Sequence, residues 1–461
     1  MVLACAIPGA TSVLSAETGP AGKARQTPEW VSRGVIYQIW LRGFTSDGTL
    51  SAATKRLAHI AKLGATIVYL SPIYLQDDDT RREFWSPRQI ASGCDNPRSP
   101  YRIMDYDRID PEYGTETDLH EFVETAHTLG LKVLMDIVFL DCGPSSNLVD
   151  RPGFIKRDEA GKIVTNLYNF PVLNFASPEL RDYLIANMTH WVDGFGVDGF
   201  RCDVGDGIPL DFWEQARTKL SKLRPDLVML AEGSRAEDQF YAFDMNYSYP
   251  WWNAVYDVVL NGKPASSLQT EWEANANELP SGARLIRFVE THDKAKDYGP
   301  ADSVFGERAA MLWTIMNFTL DGVPFIYNGQ EIGDSSPQSI FCKMPLQWES
   351  SHLPTAKKRF VLYQNLCRLR RNERPLSEGL VRWLQSNQPE STLSYVRSTA
   401  AEEILTVLNF SNRPVQLVLP HESIFDQILL SEGAKMQRAG EELAIDVQAE
   451  GYIVAKRTVG A

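Results

Sequence analysis

Between Gly34 and Tyr327, short runs rich in β-branched and aromatic residues alternate with longer stretches of helical period, and this alternation restricts the chain to a parallel sheet wrapped by helices. The strand-like runs fall at 35–40, 66–70, 132–138, 199–203, 228–232, 240–244, 285–289 and 323–327. Helical patterns at 50–63, 115–129, 178–195, 212–223 and 308–318 lie between them, several opened by Ser, Thr or Pro and closed by Gly. Eight such units predict an α/β fold, a (β/α)8 TIM barrel over residues 28–375, with its chemistry at the carboxyl ends of the strands. Two connections are too long for turns. Gln76 to Arg102 is one; the other, residues 140–175, predicts a short excursion after the third strand. Beyond Leu376 the helical period gives way to alternating runs at 392–397, 404–410, 415–419, 444–447 and 452–456, which predict a C-terminal antiparallel β-sandwich over 376–461.

Three acids stand at the ends of these runs: Asp203 at the fourth, Glu232 at the fifth and Asp293 beyond the seventh. One such acid alone reads as an exposed loop carboxylate or a structural ion pair; three at the same end of one barrel read as a site. Cleaving a glycosidic bond needs an acid for the departing oxygen and a carboxylate that attacks or supports the oxocarbenium ion. Asp203 lies two positions after Arg201 on one strand, so both side chains point the same way, and the arginine is expected to keep Asp203 ionised as a nucleophile. Glu232 follows an apolar run beside another carboxylate, which is expected to raise its pKa, as an acid requires. His292 next to Asp293 supplies a partner for sugar hydroxyls.

The formal charge of −13 opposes binding to phosphate backbones and anionic lipid, so nucleic-acid and membrane-surface partners are not expected and a neutral substrate is. Six cysteines show no metal-ligand spacing. Cys94 and Cys142 fall in loops above the barrel, where they either pair or remain small buried hydrophobes. No run of 18 apolar residues exists, so no transmembrane segment is expected. Residues 1–27 read either as an export signal with a poor n-region or as a disordered tail, and location stays open, with export slightly favoured over the cytoplasm. Tyr249, Trp251 and Trp252 form either a platform for the leaving group or part of the core.

From about Val31 to Glu331 the chain resembles the α-amylase family of retaining α-glucan-active enzymes. The resemblance rests on Gly34-Val35-Ile36-Tyr37-Gln38, Asp136-Ile137-Val138, Leu173-Asn174, Gly199-Phe200-Arg201-Cys202-Asp203, Glu232, His292-Asp293 and Gly322 to Glu331. It implies Asp203 as nucleophile, Glu232 as general acid/base and Asp293 as the carboxylate that grips the ring hydroxyls. Arg201, His292, Asp136 and Asp141 would complete the substrate-binding set, with Tyr101 as the floor under the attacked sugar. Leu140-Asp141 replaces the family's Asn-His, which removes a usual calcium ligand, and the loop 44–49 lacks the alternating acids of a calcium site. Calcium stays possible, but no metal site and no cofactor are expected. Arg102 and Thr291 also depart from the family pattern. Asp206-Gly207 after the nucleophile, and Phe243 to Tyr247, are similar to the neopullulanase and cyclomaltodextrinase branch, whose N-terminal sandwich is not expected ahead of this barrel. The expected function is retaining hydrolysis of α-1,4 or α-1,6 glucosidic bonds in α-glucan oligosaccharides or polysaccharides. The alternatives are a transglycosylase or sugar isomerase of the same family, and a non-catalytic carbohydrate-binding barrel. Oligomeric state is open.

Overall fold

The computed structural model describes residues 22–420, 425–439 and 442–459. The barrel strands are β1 (Ile36–Ile39), β2 (Ile67–Leu70), β5 (Lys132–Ile137), β6 (Gly199–Cys202), β7 (Val228–Ala231), β8 (Met245–Tyr247), β9 (Leu285–Arg287) and β10 (Val323–Tyr327), while β3 (Tyr74–Gln76) and β4 (Ile103–Ile109) form a hairpin in the connection from β2 to β5. All residues of β1, β2, β6 and β7 are buried, because one face meets the barrel interior and the other the helices; hence these strands read as continuous rather than alternating apolar runs. The eight parallel strands close in the order β1-β10-β9-β8-β7-β6-β5-β2, with Ile36 opposite both Phe325 and Ile67. The helix Pro178–Phe195 shows how locally the ring is encoded: the Ser177 side chain accepts from Leu180 N, Pro178 occupies the first turn, and Gly196 ends the helix at φ 75°.

The sixth strand is corrected. Residues 238–241 form a helical turn and the strand begins at Met245. Phe240 and Phe243 are three apart, a helical spacing, and the Asp244 carboxylate is spent on Met229 N and Arg217 instead of leading a strand end. The tail reading is corrected where it can be seen: Ala24 N donates to Ser281 O and Arg25 N to Gln239 O, and Arg25 pairs with Asp244, so the chain joins the barrel by residue 23. Residues 1–21, with the rest of that reading, lie outside the described residues.

The excursion 140–175 is knitted by bridges such as Ile155 to Leu173 and Thr165 to Pro171. The C-terminal domain is an antiparallel sheet of β11 (Leu380–Trp383), β12 (Thr392–Ser398), β13 (Glu402–Asn409), β14 (Val415–Pro420), β15 (Gln427–Ala439) and β16 (Glu442–Thr458), ordered β11-β12-β13-β16-β14 with β15 on β16. Alternation divides its faces. Ile404, Leu408, Tyr452 and Val454 join the barrel's apolar core, whereas Leu405, Val407, Ile453 and Ala455 pack into a second cluster with Leu417 and Ile445. The two last runs expected as separate strands are halves of β16, and β15 was missed because its sequence is largely polar and exposed. Among the described residues no helix is long and apolar enough to cross a membrane.

Candidate active site

Asp203 N donates to Ile137 O and Glu232 N to Cys202 O, which places both acids one rung beyond β6 and β7, at the mouth of the barrel. Between them stands Arg201, fully buried. Its Nη1 donates to Asp203 Oδ1 at 2.7 Å and to both oxygens of Asp136 at 2.9 and 3.1 Å, and Nη2 pairs with Glu232 Oε2 at 2.8 Å. One guanidinium therefore serves three carboxylates. Burial raises Asp203 well above the usual carboxylate range, Arg201 opposes this, and Glu232, Asp136 and Asp141 add to it. The expectation that Arg201 alone would hold Asp203 low is thus corrected: a single positive charge divided three ways does not offset burial and like charge.

Glu232 follows the buried apolar run of β7 and is held by two further donors. Val204 N donates to Oε2 and Tyr249 Oη to Oε1, both at 2.9 Å. Val204 holds a left-handed conformation at φ 43°, ψ 48°, costly for a β-branched residue, and that turn is what aims its N–H at the acid. Tyr249 thereby belongs to the site, while Trp251 and Trp252 are core.

Asp293 lies in the first turn of the helix His292–Tyr298, capped by Thr291, whose side chain accepts from Lys294 N. Burial alone would raise Asp293, but His292, Arg88 and Arg201 override it and hold the carboxyl at about 2. His292 is neutral, since burial lowers it to about 4. Gln38 Nε2 donates to its Nδ1 at 2.8 Å, a pairing assigned from the network because Gln38 Oε1 accepts from His292 N. This leaves Nε2–H for Tyr101 Oη at 2.6 Å, and Tyr101 donates onward to Asp136 at 3.2 Å. Trp40 stacks parallel to His292 at 4.9 Å and to Tyr101 at 6.1 Å, fixing both rings.

Two expected substrate contacts are corrected. Asp136 is fully buried, with its oxygens on Arg201, Tyr69 and Tyr101, and burial pushes it up to about 6; it supports the arginine from behind and has no surface left for a sugar. Asp141 is 4% exposed and accepts from Asn166, with its carbonyl bonded by Tyr106 Oη at 2.5 Å. Burial pushes it up to about 8, so it carries a proton at neutral pH instead of the charge read from the sequence. Its Oδ1 has no hydrogen-bond partner among the described residues.

Sequence reasoning missed Arg88. Carried by the short helix Pro87–Ala91, it donates from Nη2 to Asp293 at 2.8 Å and to Asp297 at 2.9 and 3.0 Å. For Tyr168, from the excursion, burial raises the phenol, Arg88 opposes, and Asp203, Asp293 and Glu232 reinforce. Cys94 pairs with Cys342, not with Cys142, which is free and buried. The calcium of related sites finds no fit at residue 140, where the Leu140 side chain packs near Gly207 and offers no oxygen. Among the described residues no group of three His, Cys, Asp or Glu is placed to hold a metal.

The catalytic domain of the alpha-amylase family matches residues 23–153 and 163–361. A cyclomaltodextrinase of a Bacillus species is 25% identical over 440 residues, covering 83% of this chain and 74% of its own, and neopullulanase 2 of Thermoactinomyces vulgaris is 26% identical over 83% and 70%. The crystal structure of a maltogenic α-amylase from Thermotoga neapolitana superposes with a TM-score of 0.76 at 27% identity, over 93% of this chain and 97% of that one. With the barrel, the acids at its strand ends and a match spanning well over half its length, the chain belongs to the alpha-amylase family of glycoside hydrolases.

Proposed function

We propose that the protein hydrolyses α-1,4 or α-1,6 glucosidic bonds of α-glucan oligosaccharides with retention, through a covalent glycosyl-Asp203. The observation that carries this reading is the pairing of Asp203 and Glu232 to the two terminal nitrogens of Arg201. Retaining enzymes place their two carboxyl groups about 5–5.5 Å apart, and a shared guanidinium supports so short a separation. Asp203 attacks the anomeric carbon as a carboxylate while Glu232 gives its proton to the departing oxygen; in the second half, Glu232 takes a proton from water and the hydroxyl displaces Asp203. Tyr249 and Val204 N donate to Glu232 and stabilise the charge left on it. Asp293, held ionised, grips ring hydroxyls and faces the developing positive charge. The chain's own carboxylates supply every step, and no cofactor enters.

Glucose and reducing-sugar release from maltotriose and pullulan tests the reading. Asp203→Asn should abolish turnover, and Glu232→Gln should lower it by about 10²–10⁴-fold. The product first released should be the α-anomer by proton NMR. A β-anomer, or an Asp203→Asn variant as active as wild type, would sink the proposal.

A further inference from the structure

The order of the strands gives the mouth of the barrel two ends. In the ring β1-β10-β9-β8-β7-β6-β5-β2, β7 and β6 stand fifth and sixth, diametrically opposite β1 and β10. On the hydrolase reading, a sugar has its anomeric carbon at Asp203 and its departing oxygen at Glu232, both over β6 and β7. Its far end, where a longer chain would continue, therefore points toward β1 and β10.

That sector is bridged. Arg88 belongs to the connection after β2 and reaches Asp293 and Asp297 in the connection after β9, the two strands that flank β1 and β10. Asp297 lies one helical turn beyond Asp293, so the guanidinium spans the ring-gripping carboxylate and a second anchor beyond it. Lys296 Nζ donates to the same Asp297 oxygen at 2.7 Å. The segment that presents Arg88 is fastened at several points. Cys94 is joined to Cys342 in the connection after β10. Asn96 Nδ2 donates to Phe341 O at 3.1 Å and Gln89 Nε2 to Asn96 O at 2.7 Å. From the other side, Asn169 of the excursion donates to Trp85 O at 3.1 Å. Arg88 itself remains 30% exposed and, among the described residues, only its Nη2 is engaged by carboxylates, so Nε and Nη1 are left as donors beside the sugar that Asp293 holds.

We propose that the Arg88 bridge closes the glycone end of the site behind a single sugar, so that the enzyme removes units one at a time from non-reducing ends and does not cut inside a chain. Arg88 then determines specificity, and a ring-shaped glucan, which has no end to offer, is refused.

The test is cleavage of maltoheptaose fluorescently labelled at its reducing end, followed over the first few per cent of turnover. Wild type should give unlabelled glucose and a labelled hexamer, and should leave α-cyclodextrin and a heptamer blocked at its non-reducing 4- and 6-hydroxyls uncut. Arg88→Ala should yield labelled fragments of two to four units, at a share at least tenfold above wild type. The readout is the fragment pattern rather than the rate, because losing a counterion beside Asp293 slows turnover by itself. Asp297→Asn, which keeps Arg88 and Asp293, should shift the pattern the same way to a smaller extent and serves if Arg88→Ala does not fold. Short labelled fragments from wild type at first turnover would overturn the proposal, as would active Arg88→Ala and Asp297→Asn variants that still release only single units. A folded wild type that cleaves no maltooligosaccharide at all would overturn the hydrolase reading on which the proposal rests, and this inference with it.

Discussion

At the scale of single residues, the site is governed by how few positive charges serve how many carboxylates. Among the described residues Asp141 has no such charge beside it, and its pKa stands at about 8 because burial is offset only by a hydrogen bond from Asn166. The folded protein then holds a proton that the unfolded chain releases near pH 4, so between about pH 4 and 8 this group makes stability fall as pH rises. Asp141→Asn keeps the acceptor for Asn166 and removes the titration. Its melting temperature should therefore exceed that of wild type by more at pH 8 than at pH 5, by on the order of a few kcal/mol in stability; parallel curves for the two proteins would refute the assignment. Glu290, also pushed up to about 8 by burial, leaves a residual slope of the same sign in both. Asp203 and Glu232 were legible in the sequence because a strand end is a local signal. Arg88 was not, because its bond to Asp293 joins positions 205 apart, and no periodicity or spacing records such a contact.

At the scale of elements, the barrel strands were legible wherever both faces are buried, and misplaced where a helical turn carried its own aromatic pair, as at Phe240 and Phe243. The long connection from Gln76 to Arg102 was legible as functional only by its length. What fixes its shape, the bond from Cys94 to Cys342, spans 248 residues, whereas loop placement alone offers Cys142 as the partner. A double change, Cys94→Ser with Cys342→Ser, should lower stability by about 2–4 kcal/mol. It should also open residues 82–98 to hydrogen exchange while leaving the strands protected. Unchanged exchange in that segment would show that its hydrogen bonds hold it without the disulfide.

At the scale of the molecule, the C-terminal sheet is not an appendage. Tyr395 bonds Thr319 at 2.6 Å, Lys456 pairs with Glu373 at 2.6 Å, and Ile404, Leu408 and Val454 extend the barrel's core. One calorimetric transition is expected for the full chain, and two well-separated transitions would contradict that shared core. The mouth of the barrel carries the same sign as the chain, whose net charge is −13: Arg201 is outnumbered by Asp203, Glu232 and Asp136. An inhibitor shaped like a sugar but bearing a protonated ring nitrogen should accordingly outbind its neutral twin, with an advantage that fades as acid loads protons onto those carboxylates. The same shortage of positive charge around Arg201 would thus also make the pocket a trap for small cations.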